Sequence, residues 1–502
     1  MSADDLEPYR LDPDKPQFSI GGVFDPIGLH DQLKRACLVV DRLVARDLIG
    51  GKERRLLVIG GGAAGVGAAI RAARLGVDVT LVEQASHWFA RQWGCVSRWL
   101  SPTFYDWPHP HWVERGWPAD SRGPFGFDEG RADDLAAAWQ AWRDDLDPPS
   151  AGRIKEFLHW RVESLTDLGE SRVRALLVRV GPTTAAMTHR SHELEYAAVL
   201  HATGPLEERT SLDLTSDGEN PPQGTPGFRG YGFWETPLPA PHGEFVISGG
   251  GDGALQDLIL HASVDEWTRP LFAALREPTA DDVVHAQADH LNTAWQALEE
   301  ALLEAERVAT LARAGERDGE ALALAALDAT YARAVATLLD DPLIGPTLLE
   351  RLHARLVPGR AVTLVHSKPY FTWCYPVNRL LAHLIRTVAS PPKASGIQVP
   401  AFWPGHRVTQ VISACAGHSC MHDPESCDGV RHDVTTIREP GWDGSSPPGP
   451  LPATTVLLRH GLLRPSRSIF GLLPLPPRYD PVDRPFARAR GEEAVTTDPA
   501  RP

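Results

Sequence analysis

The stretch from Arg54 to Glu83 constrains this chain more than any other. RRLLVIG reads as a short apolar strand, GGAAGVGAAIRAARLG as a glycine turn entering an alanine-rich helix, and VDVTLVE as a second apolar strand ending in an acid. Strands that are apolar throughout belong in a parallel sheet with both faces covered, so the segment is one βαβ unit. Gly60-Gly61-Gly62-Ala63-Ala64-Gly65 fits GxGxxG. Gly60 permits the tight turn, Gly62 lets the backbone approach a pyrophosphate, and Gly65 lets helix and strand pack closely. The helix start at Ala63 and Ala64 offers unpaired N–H groups to phosphates, and Glu83 can accept hydrogen bonds from an adenosine ribose.

Composition sets outer bounds. At about 150 residues per domain, a chain of this length suggests two to four units. The net charge is -15, with acids spread along the chain, which argues against nucleic acid or anionic membrane as partners. The N-terminal MSADDLEPYR has neither the basic start nor the apolar core of a secretory signal. The apolar stretch Leu56 to Ile70 is shorter than the roughly 20 residues a membrane span needs. These features read as a cytoplasmic protein. Six cysteines in so long a chain do not make a disulfide scaffold.

A second strand–turn–helix begins at Glu244: EFVISGGGDGALQDLILHA, with Gly249, Gly251, Asp252 and Ala254 in the turn. An Ala/Leu/Glu-rich segment follows, in which Leu291, Trp295, Leu298 and Leu302 recur at helical spacing and mark one buried face. AVTLVHS then reads as a strand and VNRLLAHLIRTV as a helix. The expected fold is α/β, with two Rossmann-like dinucleotide-binding domains, the second interrupted by a helical insertion. The expected boundaries are 1–53 for an N-terminal extension, 54–210 for the first domain, 211–264 with 357–473 for the second, 265–356 for the insertion, and 474–502 for an extended or disordered tail. The part of the extension from about Leu29 to Leu48 has helical spacing and is expected to pack on the first domain.

VIGGGAAGVGAAIRAARLGVDVTLVEQ resembles the FAD fingerprint of the two-dinucleotide-binding flavoproteins, a group that includes thioredoxin reductase, glutathione reductase and the flavin-dependent monooxygenases. In that group a later apolar strand ends in an ATG turn beside the FAD, and VLHATGP, with Ala202, Thr203 and Gly204, has that form. ISGGGDGALQDL resembles the group's nicotinamide-nucleotide turn. The resemblance implies FAD and NADPH (or NADH) as cofactors. AVTLVHSK ends in His366, Ser367 and Lys368 rather than an acid, and Ser367 and Lys368 lean towards holding the 2′-phosphate of NADPH. No clear Gly-Asp turn of the kind that contacts the flavin ribityl chain stands near the C-terminus; Arg464 to Phe470 is a conjectural substitute.

The resemblance implies an FAD-dependent oxidoreductase that takes hydride from NAD(P)H and passes electrons to a small-molecule substrate or O2. Dithiol chemistry is disfavoured, because only Cys95 lies near the first unit and Cys374 stands alone in the second. A monooxygenase-like reading rests on Arg91-Gln92-Trp93-Gly94 and the following YDWPHPHW, where aromatic side chains can line a flavin and Arg91 or Gln92 can hydrogen-bond it; a packing loop is the plainer alternative. Cys415, His418, Cys420 and Cys427 form a Cys/His-rich stretch that can be weighed as a zinc site, although its spacing matches no standard finger and an ordinary polar loop remains open. The rival to an enzyme is a non-catalytic FAD/NAD(P)-binding sensor or scaffold that contacts a protein partner through the helical insertion.

Overall fold

Both glycine turns sit at the carboxyl ends of buried parallel strands, and a sheet grows around each. In the computed structural model the chain divides into two compact units, one drawn from residues 1–102 and 114–207, the other from 103–113 and 208–462. The structure describes residues 6, 9–12, 14–20, 28–50, 53–109, 116–117, 126–169, 172–180, 191–204, 212, 228, 230–236, 243–265, 267–280, 287–313, 317–389, 400–415, 430–440, 442, 444, 447 and 449–460. The expected tail from 474 and the Arg464–Phe470 segment lie outside them.

In the first unit, β1 (Gln17–Ser19), β2 (Leu56–Ile59), β3 (Val79–Glu83), β4 (Ile154–Leu158) and β8 (Ala198–His201) form a parallel sheet in the order β1-β8-β2-β3-β4. Every residue of β2 and β8 is buried, which is why these strands read as unbroken apolar runs. Helix α1 (Leu29–Ala45) lies against α2 (Ala63–Arg74) and is tied to it by Arg71 Nε to Asp41 at 2.6 Å. Helix α3 (Ala132–Asp144) buries Trp139 against Phe89 and Phe127. The strands β5 (Trp160–Gly169), β6 (Arg172–Arg179) and β7 (Ser191–Tyr196) make an antiparallel meander between β4 and β8.

Two local features depart from the sequence reading. EFLHWRVESL is not one strand: it breaks at His159, whose φ of 63° turns the chain out of the parallel sheet and into the meander. The aromatic segment after Leu100, expected within 54–210, clusters with the second unit. The reason is apolar packing: Phe104 and Trp107 are fully buried against Phe272, and Trp107 Nε1 donates to Glu299 at 3.1 Å.

In the second unit, β9 (Glu244–Ser248), β10 (Ala361–His366), β11 (Ala401–Pro404) and β15 (Thr455–Leu458) form a parallel sheet in the order β11-β10-β9-β15. An antiparallel sheet of β12 (His406–Cys415), β13 (Val430–Arg438) and β14 (Leu451–Ala453) accompanies it, as the meander does in the first unit. Helix α4 (Asp252–Ala262) follows the turn. Between α4 and β10 the described residues form α5 (Thr268–Arg276), α6 (Ala288–Arg313), α7 (Arg317–Asp340) and α8 (Gly345–Arg355). Leu291, Trp295, Leu298 and Leu302 of α6 join Leu327, Tyr331, Val335 and Leu338 of α7 in one buried cluster. Within α7 the stretch Gly319–Asp340 is, among the described residues, the one helix long and apolar enough to cross a membrane; its buried stripe belongs to this cluster.

Polar ties fix helix α9 (Pro376–Ala389) to α7. Arg379, fully buried, reaches Asp328 at 2.8 Å, and His383 Nε2 lies 3.1 Å from the same carboxylate oxygen. Removing one partner of a buried ion pair strands the other without water. Asp328→Ala is therefore expected to cost about 3–5 kcal/mol of stability. Urea unfolding followed by tryptophan fluorescence checks this, and a loss below about 1 kcal/mol, the range of exposed pairs, contradicts it.

Candidate functional site

The first turn is closed on two sides and open on the third. Gly60 has φ +110° and donates its N–H to Val82 O at 2.8 Å; a Cβ there would strike the Ala202 carbonyl. A Cβ on Gly65 would strike the carbonyl of Gly60. These two glycines are needed for packing alone. Gly62, the N-cap of α2, is different: a Cβ would meet nothing within 4 Å. The space beside Gly62, at the start of α2, is therefore open, and no acid occupies that first turn. Ala63 is buried and Ala64 half-buried behind it.

Glu83 ends the neighbouring strand and faces this turn. Its Oε2 accepts from the Gly61 N–H at 2.5 Å and its Oε1 from the Ala85 N–H at 2.7 Å. Thr203 and Gly204 follow Ala202 at the end of β8; Thr203 is exposed and Gly204 has φ +75°. Beyond Glu83 the chain returns, and Phe89 N–H donates to Gly61 O at 2.8 Å. Two and three residues on, Arg91 is exposed while Gln92 is buried. Trp93 is 48% exposed, the one tryptophan among the large exposed apolar side chains of the described residues, whereas Phe104 and Trp107 are core residues of the second unit.

The second turn repeats the backbone contacts of the first. Gly249 has φ +143°, donates to Val365 O at 2.8 Å, and would strike the Arg459 carbonyl with a Cβ. Thr372 N–H donates to Gly250 O at 2.8 Å, as Phe89 does to Gly61, and each donor stands six residues beyond its strand end. A Cβ on Gly61 would lie 2.9 Å from Glu83 Cβ; one on Gly250 would lie 3.2 Å from His366 Cβ. His366 thus holds the place of Glu83. Sequence reasoning looked to Ser367 and Lys368, which are exposed just past it. Burial, with Arg386 nearby, pushes His366 down to about 4, so it is neutral at neutral pH.

What surrounds the second turn differs. A Cβ on Gly251 would lie 3.2 Å from Thr372 Oγ1 and 3.6 Å from Trp373 O. One on Gly253 would meet Arg459 Cδ at 3.3 Å and Phe233 Cδ2 at 3.4 Å. Ala254 is fully buried. The Asp252 carboxylate is used within the chain: Oδ1 accepts from Tyr375 N–H at 2.9 Å and Asn378 Nδ2 at 2.7 Å, and Oδ2 from Gln256 Nε2 at 2.7 Å. Phe233, Thr372, Trp373 and Arg459 carried no motif, and only their packing reveals them.

Thiol chemistry finds no poised group among the described residues. Cys37, Cys95 and Cys374 are all free. Burial pushes Cys37 up to about 12 and raises Cys95 and Cys374 as well, so none favours the thiolate that reactions need. Cys415 ends β12, but its side chain, with His418, Cys420 and Cys427, lies outside the described residues. Among those described, no group of three His, Cys, Asp or Glu side chains can hold a metal ion.

Residues 34–111 match the family described as pyridine nucleotide-disulphide oxidoreductase. The match runs from within α1 through the whole βαβ unit to the loop beyond Glu83, and the family's description names a pyridine nucleotide. No curated protein matches the chain in sequence. Among solved structures it is similar to thioredoxin reductase of Lactococcus lactis, at 9% identity over 82% of this chain and 78% of that one, with a TM-score of 0.33. It is also similar to LpdA of Mycobacterium tuberculosis, at 17% identity over 84% and 61% with a TM-score of 0.35, and to bacillithiol disulfide reductase of Staphylococcus aureus, at 11% over 81% and 76% with a TM-score of 0.34. Scores this low carry no weight for chemistry.

Two measurements follow. Gly65→Ala should cost about 1–3 kcal/mol of stability by overpacking, whereas Gly62→Ala should fold normally but weaken FAD binding at least about tenfold. Melting of the two apoproteins, with FAD titration of each, separates the roles. The second concerns pH. Burial also holds His201 down at about 4. The unfolded chain, with histidines near 6.5, binds more protons below that value, so stability is full above about pH 6.5 and falls as pH drops towards 4. The loss is up to about 3 kcal/mol for each of His201 and His366. Denaturant midpoints across this range should flatten in His201→Gln/His366→Gln.

Proposed function

We propose that this protein is an FAD-dependent oxidoreductase that holds FAD on the turn of its first unit, takes a hydride from a reduced small molecule, and passes the two electrons to a second small-molecule substrate or O2. The observation that carries the reading is the open face at Gly62, beside two glycines locked by packing and one strand away from Glu83. The residues fit the group. Amides at the start of α2 point to where a pyrophosphate would dock, helped by the helix dipole. Glu83, which accepts from the Gly61 and Ala85 N–H groups, would hold the ribose hydroxyls. His201, buried and neutral at the end of β8, keeps charge away from the neighbouring strand end. Bound FAD supplies the two-electron chemistry, and the protein supplies position and exclusion of water.

The monooxygenase form of this reading keeps Arg91, Gln92 and Trp93, but loses Trp107 to packing. NADPH or NADH as the reductant was expected at Gly249–Ala254 with Ser367 and Lys368. There a Cβ on Gly251 or Gly253 would meet Thr372, Trp373, Arg459 and Phe233, where one on Gly62 would meet nothing. The same filling favours, as a second reading, an FAD-binding sensor or scaffold that meets a protein partner through the helices between α4 and β10.

The visible spectrum of the purified protein tests the proposal. A flavin spectrum at one FAD per chain is expected, and Glu83→Ala should weaken FAD about ten- to a hundredfold while leaving the far-UV spectrum unchanged. No flavin after reconstitution overturns it. Steady turnover with an added reductant and acceptor decides for the enzyme over the scaffold.

A further inference from the structure

The two turns share one backbone and differ in what stands before them, which allows a comparison within a single chain. In the first unit the loop beyond Glu83 touches the turn through Phe89 N–H and leaves Gly62 open. In the second unit the corresponding loop, Phe371 to Tyr375, continues across the turn. Thr372 Oγ1 and Trp373 O stand over Gly251 from one side. Phe233 and the stem of Arg459 stand over Gly253 from the other. A phosphate oxygen bonded to a helix-start amide needs a place about 2.9 Å from that nitrogen, with the rest of the diphosphate beyond it. Where a Cβ on Gly62 would meet nothing within 4 Å, one on Gly251 or Gly253 would meet these protein atoms.

Both covers are anchored. Arg379 Nη1 donates to Phe371 O at 3.1 Å and Nη2 to Thr372 O at 2.7 Å, with the same guanidinium paired to Asp328. Trp373 Nε1 donates to Glu320 of α7, and Tyr375 N–H donates to Asp252 at 2.9 Å. On the other side, Arg459 Nε reaches buried Asp257 at 2.7 Å, and its Nη atoms donate to Tyr231 O and Thr236 Oγ1, which fixes the segment that carries Phe233. At the corresponding place in the first unit stands Ala202, whose methyl spans nothing.

We infer that the turn of the second unit, Gly249 to Ala254, is filled by its own chain and binds no dinucleotide. The inference concerns the second unit alone and stands apart from FAD binding at the first. His366 agrees with it: the position that would read a ribose is a buried neutral imidazole rather than an exposed acid or base.

The experiment is calorimetric titration of the full-length, FAD-reconstituted protein with NADPH and with NADH, repeated on Gly251→Ala, with FAD content measured on each sample. The expected result is no binding tighter than about 1 mM for either nucleotide, and no anaerobic bleaching of the flavin by them. Micromolar binding that Gly251→Ala weakens tenfold or more, in a variant that keeps its FAD, overturns the inference. Micromolar binding that Gly251→Ala leaves unchanged places the nucleotide elsewhere and supports it. Absence of FAD from every sample counts against the proposed function, while the nucleotide titration still reads the second turn.

Discussion

The whole arrangement depends on two places where a glycine lies against the carbonyl of a neighbouring strand end, Gly60 on Ala202 and Gly249 on Arg459. No side chain fits there, and the positive φ of each glycine is available to few other residues. The contact locks a strand that forms early in each unit to one supplied much later in the chain, β2 to β8 and β9 to β15. It also sets the helix start above the carboxyl edge of the sheet. Everything chemical at the first turn, from the direction of the amides to the reach of Glu83, inherits that placement.

Much of this was legible in the sequence, because the requirements are local. Glycines spaced as in GGGAAG, between an apolar strand and an alanine-rich helix, describe a backbone that few other arrangements use. The stripe Leu291, Trp295, Leu298 and Leu302 declared its buried face through periodicity alone. What escaped was decided at a distance. β1 lies in a segment rich in Pro and Asp whose composition argues against a strand, and pairing with β8 overrides it. His159 breaks an apparently continuous run through a backbone angle that no pattern announces. Phe104 and Trp107 look like any aromatic loop until Phe272 and Trp295 supply their partners.

The second turn shows the same limit at the level of chemistry. A glycine motif states what the backbone permits, not what covers it. Thr372, Phe233 and Arg459 come from three separated segments, and each is an ordinary residue where it stands. Only the comparison of Gly62 with Gly251 shows that one fold presents an open face in one unit and a packed face in the other. The polar ties of Arg379 and Arg459 give that packing direction as well as density, because a guanidinium aims several hydrogen bonds at once.

The three residues of β1 have an effect out of proportion to their length. They pair Gln17, Phe18 and Ser19 with Val199, Leu200 and His201, and so cover the flank of an apolar strand. Stripped of that cover, β8 would present a row of unsatisfied N–H and C=O groups, the template on which strands from other molecules assemble. This short segment therefore acts as a guard against intermolecular sheet growth. Where a tag is fused, or where an expressed fragment begins, then governs whether the protein stays dispersed at high concentration.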